Sequence, residues 1–292
     1  MIMIDKLIRD ELDSRATDKT YDCELRTQEV YRHNPELLEL DNKIVNIRTN
    51  AMLDYISGKS SDPVASEISG LQDKRTVYLR EHKIAPDFDS PKVICNKCND
   101  TGYRNNGRTR QVCDCMSQVL EECYRKSGMK DYETVNPSNY RNDYLSASDN
   151  QHRQKVQTEI GNIISRVRNR DRERNYIYSA GAGKGKTFLS VCMCKASIMF
   201  GLNGVYIKCE NLENLNGSAK IDELKSVDIL FIDDFYSSLT GVGKIVRPLL
   251  SILEARENRG LATIIVSREA KEELISESDE RIAVKLRRAV YI

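Results

Sequence analysis

The sequence predicts an α/β fold: a P-loop core with a parallel sheet flanked by helices, preceded by an N-terminal helical hairpin and a small zinc-binding module. Three observations carry this reading. From about residue 150 onward, short apolar runs alternate with amphipathic segments, the pattern of a parallel sheet covered by helices. Between the first of these runs and a helix-like segment stands Ser179-Ala180-Gly181-Ala182-Gly183-Lys184-Gly185-Lys186-Thr187. Four of the nine cysteines fall in two tight pairs, Cys95/Cys98 and Cys113/Cys115.

Composition sets the outer limits. The 292 residues suffice for one sizeable core and one or two smaller modules. Lys and Arg (45) balance Asp and Glu (44) to a formal charge of +1, so any nucleic-acid or membrane surface must be a local patch. Asp5, Lys6, Arg9 and Asp10 interrupt the first twelve residues, unlike a secretion signal. No apolar run approaches the roughly 20 residues needed to cross a bilayer. A cytoplasmic protein without a membrane partner is expected.

The N-terminal hairpin is expected within residues 1–90, as two helices between about Cys23 and His82. Asn34-Pro35-Glu36 is a helix start, with Asn34 as N-cap and Pro35 at the first helical position. Leu37, Leu40, Ile44, Ile47 and Ala51 recur at spacings of three and four. Gly58–Ser61 breaks the pattern and Asp62-Pro63 restarts it. Val64, Ile68, Leu71, Tyr78 and His82 continue the apolar face, with Arg75 as a polar interruption. Ala85–Pro91, bracketed by prolines, reads as a linker.

The cysteine module is assigned to residues 91–117. Cys95-x₂-Cys98 and Cys113-x-Cys115 flank turns at Thr101-Gly102 and Asn106-Gly107. Four thiolates gathered by such turns make a closed tetrahedral zinc site, and so short a segment needs a staple of that kind to fold. A redox-active thiol pair and unliganded thiols are the competing readings. Residues 118–150 form a linker with a turn at Asn136-Pro137-Ser138-Asn139.

Residues 151–292 form the core. After a helix at 151–168 come strand-like runs at Tyr176–Tyr178, Gly204–Ile207, Ile229–Ile232, Thr263–Val266 and Ala289–Ile292. Between the first run and a helix at Phe188–Phe200, the glycine-rich stretch has the context of a phosphate-binding loop. Its backbone N–H groups would curl around phosphate oxygens at the helix N-terminus, with contacts from Ala182, Gly183, Lys184, Gly185, Lys186, Thr187 and Phe188. Lys186 is expected to reach the β- and γ-phosphates, and the Thr187 hydroxyl to hold Mg²⁺. Ala180 occupies the position where such loops usually begin with glycine. The run Ile229–Ile232 ends in Asp233-Asp234. Asp233 would hold Mg²⁺ through water, and Asp234 would activate the attacking water as general base.

From about residue 30 to its end the chain resembles the DnaC/DnaI group of replicative helicase loaders, particularly phage-borne members. The resemblance rests on Asn34-Pro35-Glu36-Leu37, Cys95–Tyr103, Cys113-Asp114-Cys115, the glycine-rich loop, Ile232-Asp233-Asp234 and Asp279-Glu280-Arg281-Ile282-Ala283, in that order. It implies an AAA+ ATPase that uses ATP, Mg²⁺ and Zn²⁺, associates with itself through its core, and grips a hexameric DnaB-type helicase through its N-terminal region. Single-stranded DNA would be a further partner. Arg281 matches the arginine that enters a neighbouring subunit's nucleotide site. Arg268 stands where the family usually places a γ-phosphate-sensing Asn, with Ser267 before it. The segment Cys209–Ser226 is shorter than the family's DNA-contacting insertion. The end of the chain at Ile292 leaves no room for a C-terminal helical lid, so slow turnover is expected. Two alternatives share the core: an IstB-like transposition-regulating ATPase, and a nucleotide-sensing helicase adaptor or inhibitor with little hydrolysis.

Overall fold

The computed structural model describes residues 3–57, 64–107, 109–136, 139, 145–215, 218–236, 238 and 244–292. The chain divides into two compact units, residues 11–100 and residues 1–10 with 101–292. No described helix is long and apolar enough to cross a membrane.

Helix α1 runs Met3–His33, α2 Pro35–Ile56 and α3 Val64–Glu81. The hairpin is thus preceded by a long helix that the sequence reading did not find. Of its buried apolar residues, Ile4 and Ile8 have helical spacing but Cys23 stands far from both, so no stripe continues along the helix. In the unit of residues 11–100, Leu37, Leu79 and Phe88 form a small core with Val30, Tyr31, Tyr78 and Ile84 around it. The expected seam on α2 is present, with Leu37 and Ile44 as its buried members.

Four local expectations are corrected. Asn34 precedes α2 and Pro35 opens it, but the Asn34 side chain makes no cap bond; its Nδ2 donates back to the Val30 carbonyl at 2.8 Å. Arg75 is a hub rather than an interruption, binding Asp41 at 2.7 Å and Asp89 at 2.5 Å. Tyr31 donates to the same Asp41 at 2.8 Å, and burial together with that carboxylate raises the pKa of its hydroxyl. His82 lies just past α3, exposed and stacked on Tyr78 at 3.9 Å, because the helix ends before its ring could join the apolar face. The Ala85–Pro91 linker carries a core residue, Phe88. The break at Gly58–Ser61 and the restart at Asp62-Pro63 lie outside the described residues.

In the second unit, an antiparallel hairpin pairs β1 (Tyr103–Asn106) with β2 (Thr109–Val112). Helix α4 (Ser117–Tyr124) is followed by short helical turns to Tyr132. The Asn139 N–H donates to the Asn136 carbonyl at 3.0 Å, as the expected turn requires; Pro137 and Ser138 lie outside the described residues. Helix α5 (Ala147–Arg168) is capped by Ser146, whose Oγ accepts from the Asp149 N–H at 3.1 Å.

The core is a five-stranded parallel sheet flanked by helices, the α/β architecture that the alternating apolar runs predict. Its strands are β3 (Asn175–Ser179), β4 (Gly204–Lys208), β5 (Ile229–Phe235), β6 (Ala262–Ser267) and β7 (Val290–Tyr291), in the order β4-β5-β6-β3-β7. Parallel strands buried on both faces read as continuous apolar runs, and β5 and β6 bury nearly every residue. Helix α6 (Lys186–Met199) follows the glycine-rich loop, and α7 (Ser218–Ser226) precedes β5. Later in this unit come the helices Val246–Arg259, Lys271–Glu277 and Glu280–Arg288.

One side chain on the first of these, Arg256, is wholly buried. It donates to the Leu224 and Val227 carbonyls at 2.8 and 2.7 Å, to the Ala262 carbonyl at 2.6 Å and to Thr263 Oγ1 at 3.0 Å. Burial pushes its pKa down to about 9 and nearby Asp228 opposes that, so the group stays charged at neutral pH.

Candidate functional site

The glycine-rich loop leaves β3 and enters α6. The Ala180 N–H donates to the Ser267 carbonyl at 3.2 Å, tying the start of the loop to the end of β6. Gly183 and Gly185 take positive φ of 74° and 75°, a conformation that costs glycine nothing. Apart from the chain neighbours, no heavy atom lies within 4 Å of where a Cβ at Gly181 or Gly183 would stand, so space is open beside both glycines.

Lys186 opens α6 and donates to the Gly181 carbonyl across the loop at 2.8 Å. Burial depresses the pKa of its ammonium; Asp233 and Asp234 pull it back up, and Arg268 pushes it down. The loop lysine, both acids and Arg268 therefore share one electrostatic neighbourhood. Thr187 and Phe188 follow on the first turn of α6, both half-buried, while Ala182 is exposed. Lys184 points to α5, where Asp149 takes its Nζ at 2.5 Å; that bond, with help from Ser146, lowers the pKa of the Asp149 carboxyl.

The two acids sit on a β-bulge. Ile232 pairs with Ile265 but Phe235 pairs with Ser267, so Asp233 and Asp234 together oppose one residue of β6. Asp234 has a φ of 52°, a left-handed conformation that Asp tolerates better than most residues. Asp233 is fully buried. Its Oδ1 accepts the Asp234 N–H at 2.9 Å and its Oδ2 accepts the Tyr206 hydroxyl at 2.8 Å. Asp234 is half-exposed, accepts the Tyr236 hydroxyl at 3.0 Å and lies 3.5 Å from Lys208 Nζ. Arg268 is exposed and stacks on Tyr236 at 4.3 Å. The Ser267 hydroxyl donates to the Phe235 carbonyl at 2.7 Å and accepts the Glu269 N–H at 3.1 Å.

The donor set fits a magnesium-bound nucleotide. A glycine-lined loop at a helix N-terminus suits phosphate oxygens, and a buried carboxylate such as Asp233 suits a hard cation. Arg281 is exposed at the start of Glu280–Arg288 and paired with the capping residue Asp279 at 3.1 Å. On the same helix, Lys285 binds Glu257 at 2.7 Å. Before β3, Arg166 binds Glu173 at 2.7 Å.

Among the described residues one His/Cys/Asp/Glu group has metal-binding spacing: the sulfurs of Cys95, Cys98, Cys113 and Cys115 all lie within 4.8 Å of one another. A tetrahedron with Zn–S bonds of about 2.3 Å has edges of roughly 3.8 Å, so the four thiols could hold a zinc ion with small side-chain movements. The Asp100 carboxylate accepts the Ile94 and Cys95 N–H groups at 3.0 and 2.8 Å and Lys19 Nζ at 2.7 Å. Burial alone would raise its pKa, but these bonds hold it below the usual range. Cys192 and Cys194 are buried on α6; burial pushes the Cys192 thiol up to about 11, as befits a packing residue.

Sequence reasoning missed Tyr206, Lys208 and Asp149. Tyr206 was visible only as a strand residue, and nothing in its spacing points to Asp233, 27 residues on. Register supplies the link, since Lys208 pairs with Asp233 and Tyr206 with Phe231.

No family model matches the chain, and no curated protein matches it. Solved structures similar to it include AMPPCP-bound DnaA from Aquifex aeolicus, 18% identical over 54% of this chain and 50% of that one, with a TM-score of 0.44. The match thus spans half the length of that DnaA chain. DnaI is 17% identical over 54% of this chain and 88% of its own, with a TM-score of 0.42. The DnaC helicase loader is 21% identical over 56% of this chain and 99% of its own, with a TM-score of 0.40.

Proposed function

We propose that the chain is an ATP-dependent loader of a hexameric DnaB-type replicative helicase, acting from the cytoplasm during replication initiation. The observation that carries the nucleotide part is the glycine-rich loop at the N-terminus of α6, with Gly183 and Gly185 at positive φ and Lys186 across it from the Gly181 carbonyl; Asp233 and Asp234 lie near enough to raise the pKa of that lysine. Bound MgATP supplies the γ-phosphoryl group that is transferred to water. In this reading the backbone from Ala182 to Phe188 and the Lys186 ammonium bind phosphate charge, Thr187 and Asp233 hold magnesium, and Asp234 takes the proton of the attacking water. Arg268 lies at the γ-phosphate side, and Arg281 reaches a neighbouring subunit's site.

The helicase part is supported by the order of parts along the chain: hairpin in residues 1–90, cysteine module in 91–117, linker in 118–150, core in 151–292. The far end of α2 exposes Met52, Leu53, Tyr55 and Ile56 together, a clustered apolar surface of the kind that meets a protein partner. Single-stranded DNA is a further partner in this reading. The wild-type chain is expected to bind MgATP and to co-migrate with the replicative helicase of its host. Lys186→Ala should weaken nucleotide binding by at least ten-fold, measured by titration. A wild-type chain without affinity for MgATP would overturn the proposal.

Zinc is proposed for the four cysteines. The protein should carry about one zinc per chain, and replacement by Co²⁺ should give the strong thiolate charge-transfer bands of a tetrahedral four-sulfur site. Cys98→Ser should lose the metal and lower Tm. A stoichiometry near zero after purification in added zinc would favour the free-thiol reading.

A nucleotide-sensing adaptor with little turnover is the second reading. The Ser267 hydroxyl, engaged with Phe235 and Glu269, is already committed within the fold, and that favours weak γ-phosphate sensing at this position. Turnover measured with and without single-stranded DNA separates the two readings.

A further inference from the structure

Residues 125–135 form a strap against the outer side of β4, an edge of the sheet. Three contacts fasten it. A Cβ at Gly128, whose φ is 86°, would lie 2.0 Å from the Tyr206 carbonyl oxygen, so the strap backbone touches the β4 backbone and only glycine fits. Lys195, on the helix that follows the glycine-rich loop, is nearly buried. It donates to the carbonyls of Tyr132, Glu133 and Val135 at 2.6, 3.2 and 2.7 Å. The Tyr132 ring meets the Tyr206 ring edge-on at 5.3 Å, and their hydroxyls are 3.3 Å apart.

That last contact continues inward. The Tyr206 hydroxyl has one proton, which goes to Asp233 Oδ2 at 2.8 Å. Tyr132 is then the donor of the outer bond. A chain of hydroxyls therefore runs from the strap, through the strand, to the buried acid assigned to magnesium.

We propose that Tyr206 is a positioning residue for Asp233, and that the Tyr132–Tyr206 pair couples the docking of the 125–135 strap to metal binding at that carboxylate. The proposal rests on the nucleotide reading above. The Tyr206 proton fixes the rotation of a carboxylate whose other oxygen is already held by the Asp234 N–H, leaving the remaining lone pairs aimed at the site. A docked strap holds Tyr206 in place from outside. By linkage, whatever the strap contributes to metal affinity, metal binding returns as protection of the strap.

The test compares wild type, Tyr206→Phe and Tyr132→Phe, each checked by thermal melting, in titrations with ADP alone and with ADP plus Mg²⁺. A hydrogen bond to a charged acceptor is worth enough for roughly a ten-fold rise in the Mg²⁺ half-saturation of Tyr206→Phe. Affinity for metal-free ADP should not change, which a general loss of structure would not allow. Trypsin supplies the second readout, since Arg125, Lys126 and Lys130 are exposed on the strap. Mg²⁺ with ADP should slow cleavage there several-fold in wild type and not in either variant. If wild type binds Mg²⁺–ADP but both variants match it in half-saturation and strap protection, the coupling is refuted and the nucleotide site stands. If wild type binds ADP but gains nothing from Mg²⁺, the magnesium role of Asp233 and this proposal are refuted; if it binds no ADP with or without Mg²⁺, the nucleotide reading fails as well.

Discussion

Arg281→Ala is expected to reduce ATP turnover of the assembled protein by about 10³-fold or more, the range seen when an arginine supplied to a phosphoryl-transfer site is removed. Nucleotide affinity and Tm of the isolated chain should stay within error. The side chain is 63% exposed and its ion pair is with Asp279, so the fold loses little with it. The Arg281 backbone N–H donates the capping bond to Asp279 Oδ1, and that bond survives the change. Mixing gives the stricter version. Arg281→Ala chains and Asp234→Asn chains, each inactive alone, should recover part of the turnover together, because some interfaces then combine an intact arginine with an intact acid. Unchanged turnover in Arg281→Ala, or no recovery on mixing, would remove this residue from the site.

Arg256→Ala should cost about 4 kcal/mol of unfolding free energy. It would strand three buried carbonyls and the Thr263 hydroxyl, and an unsatisfied buried polar group costs roughly 1–3 kcal/mol. Water entering the vacated space offsets part of the sum. Against a total stability of about 5–15 kcal/mol, such a loss is severe. Arg256→Met, which fills the space without donating, should do little better. Urea denaturation with an unchanged slope and a lower midpoint would record both effects. A variant within 1 kcal/mol of wild type would mean that the carbonyls find other donors.

The sheet was legible because its strands are short, apolar and regularly spaced, and each expected run falls on an observed strand. The N-terminal helix was not. Over Met3–His33 charged residues dominate, and its few buried positions owe their burial to tertiary contacts rather than to a repeating pattern. At the candidate site, the loop and the two acids could be named from local sequence, since strand, turn and helix supply the chemistry in a short span. Tyr206, Tyr132 and Lys195 could not. Their roles arise from strand register and from a connector laid along a sheet edge, which are long-range facts with no local signature. Arg75 and Arg256 show the same limit in another form: Arg75 reads as a break in an apolar face and Arg256 as one charge among several, yet each organises the groups around it.

The extra residue in β5 bears on how this chain can change. In a regular strand neighbouring side chains face opposite ways, so two consecutive carboxylates would be parted by the sheet. The bulge lets Asp233 and Asp234 both act on Lys186. A single-codon deletion between Ile232 and Phe235 removes one acid together with the bulge, and an insertion widens the bulge, whereas a swap of either acid for its amide leaves the pairing with β6 in place. Deletions and insertions there should therefore lower Tm more than either amide swap.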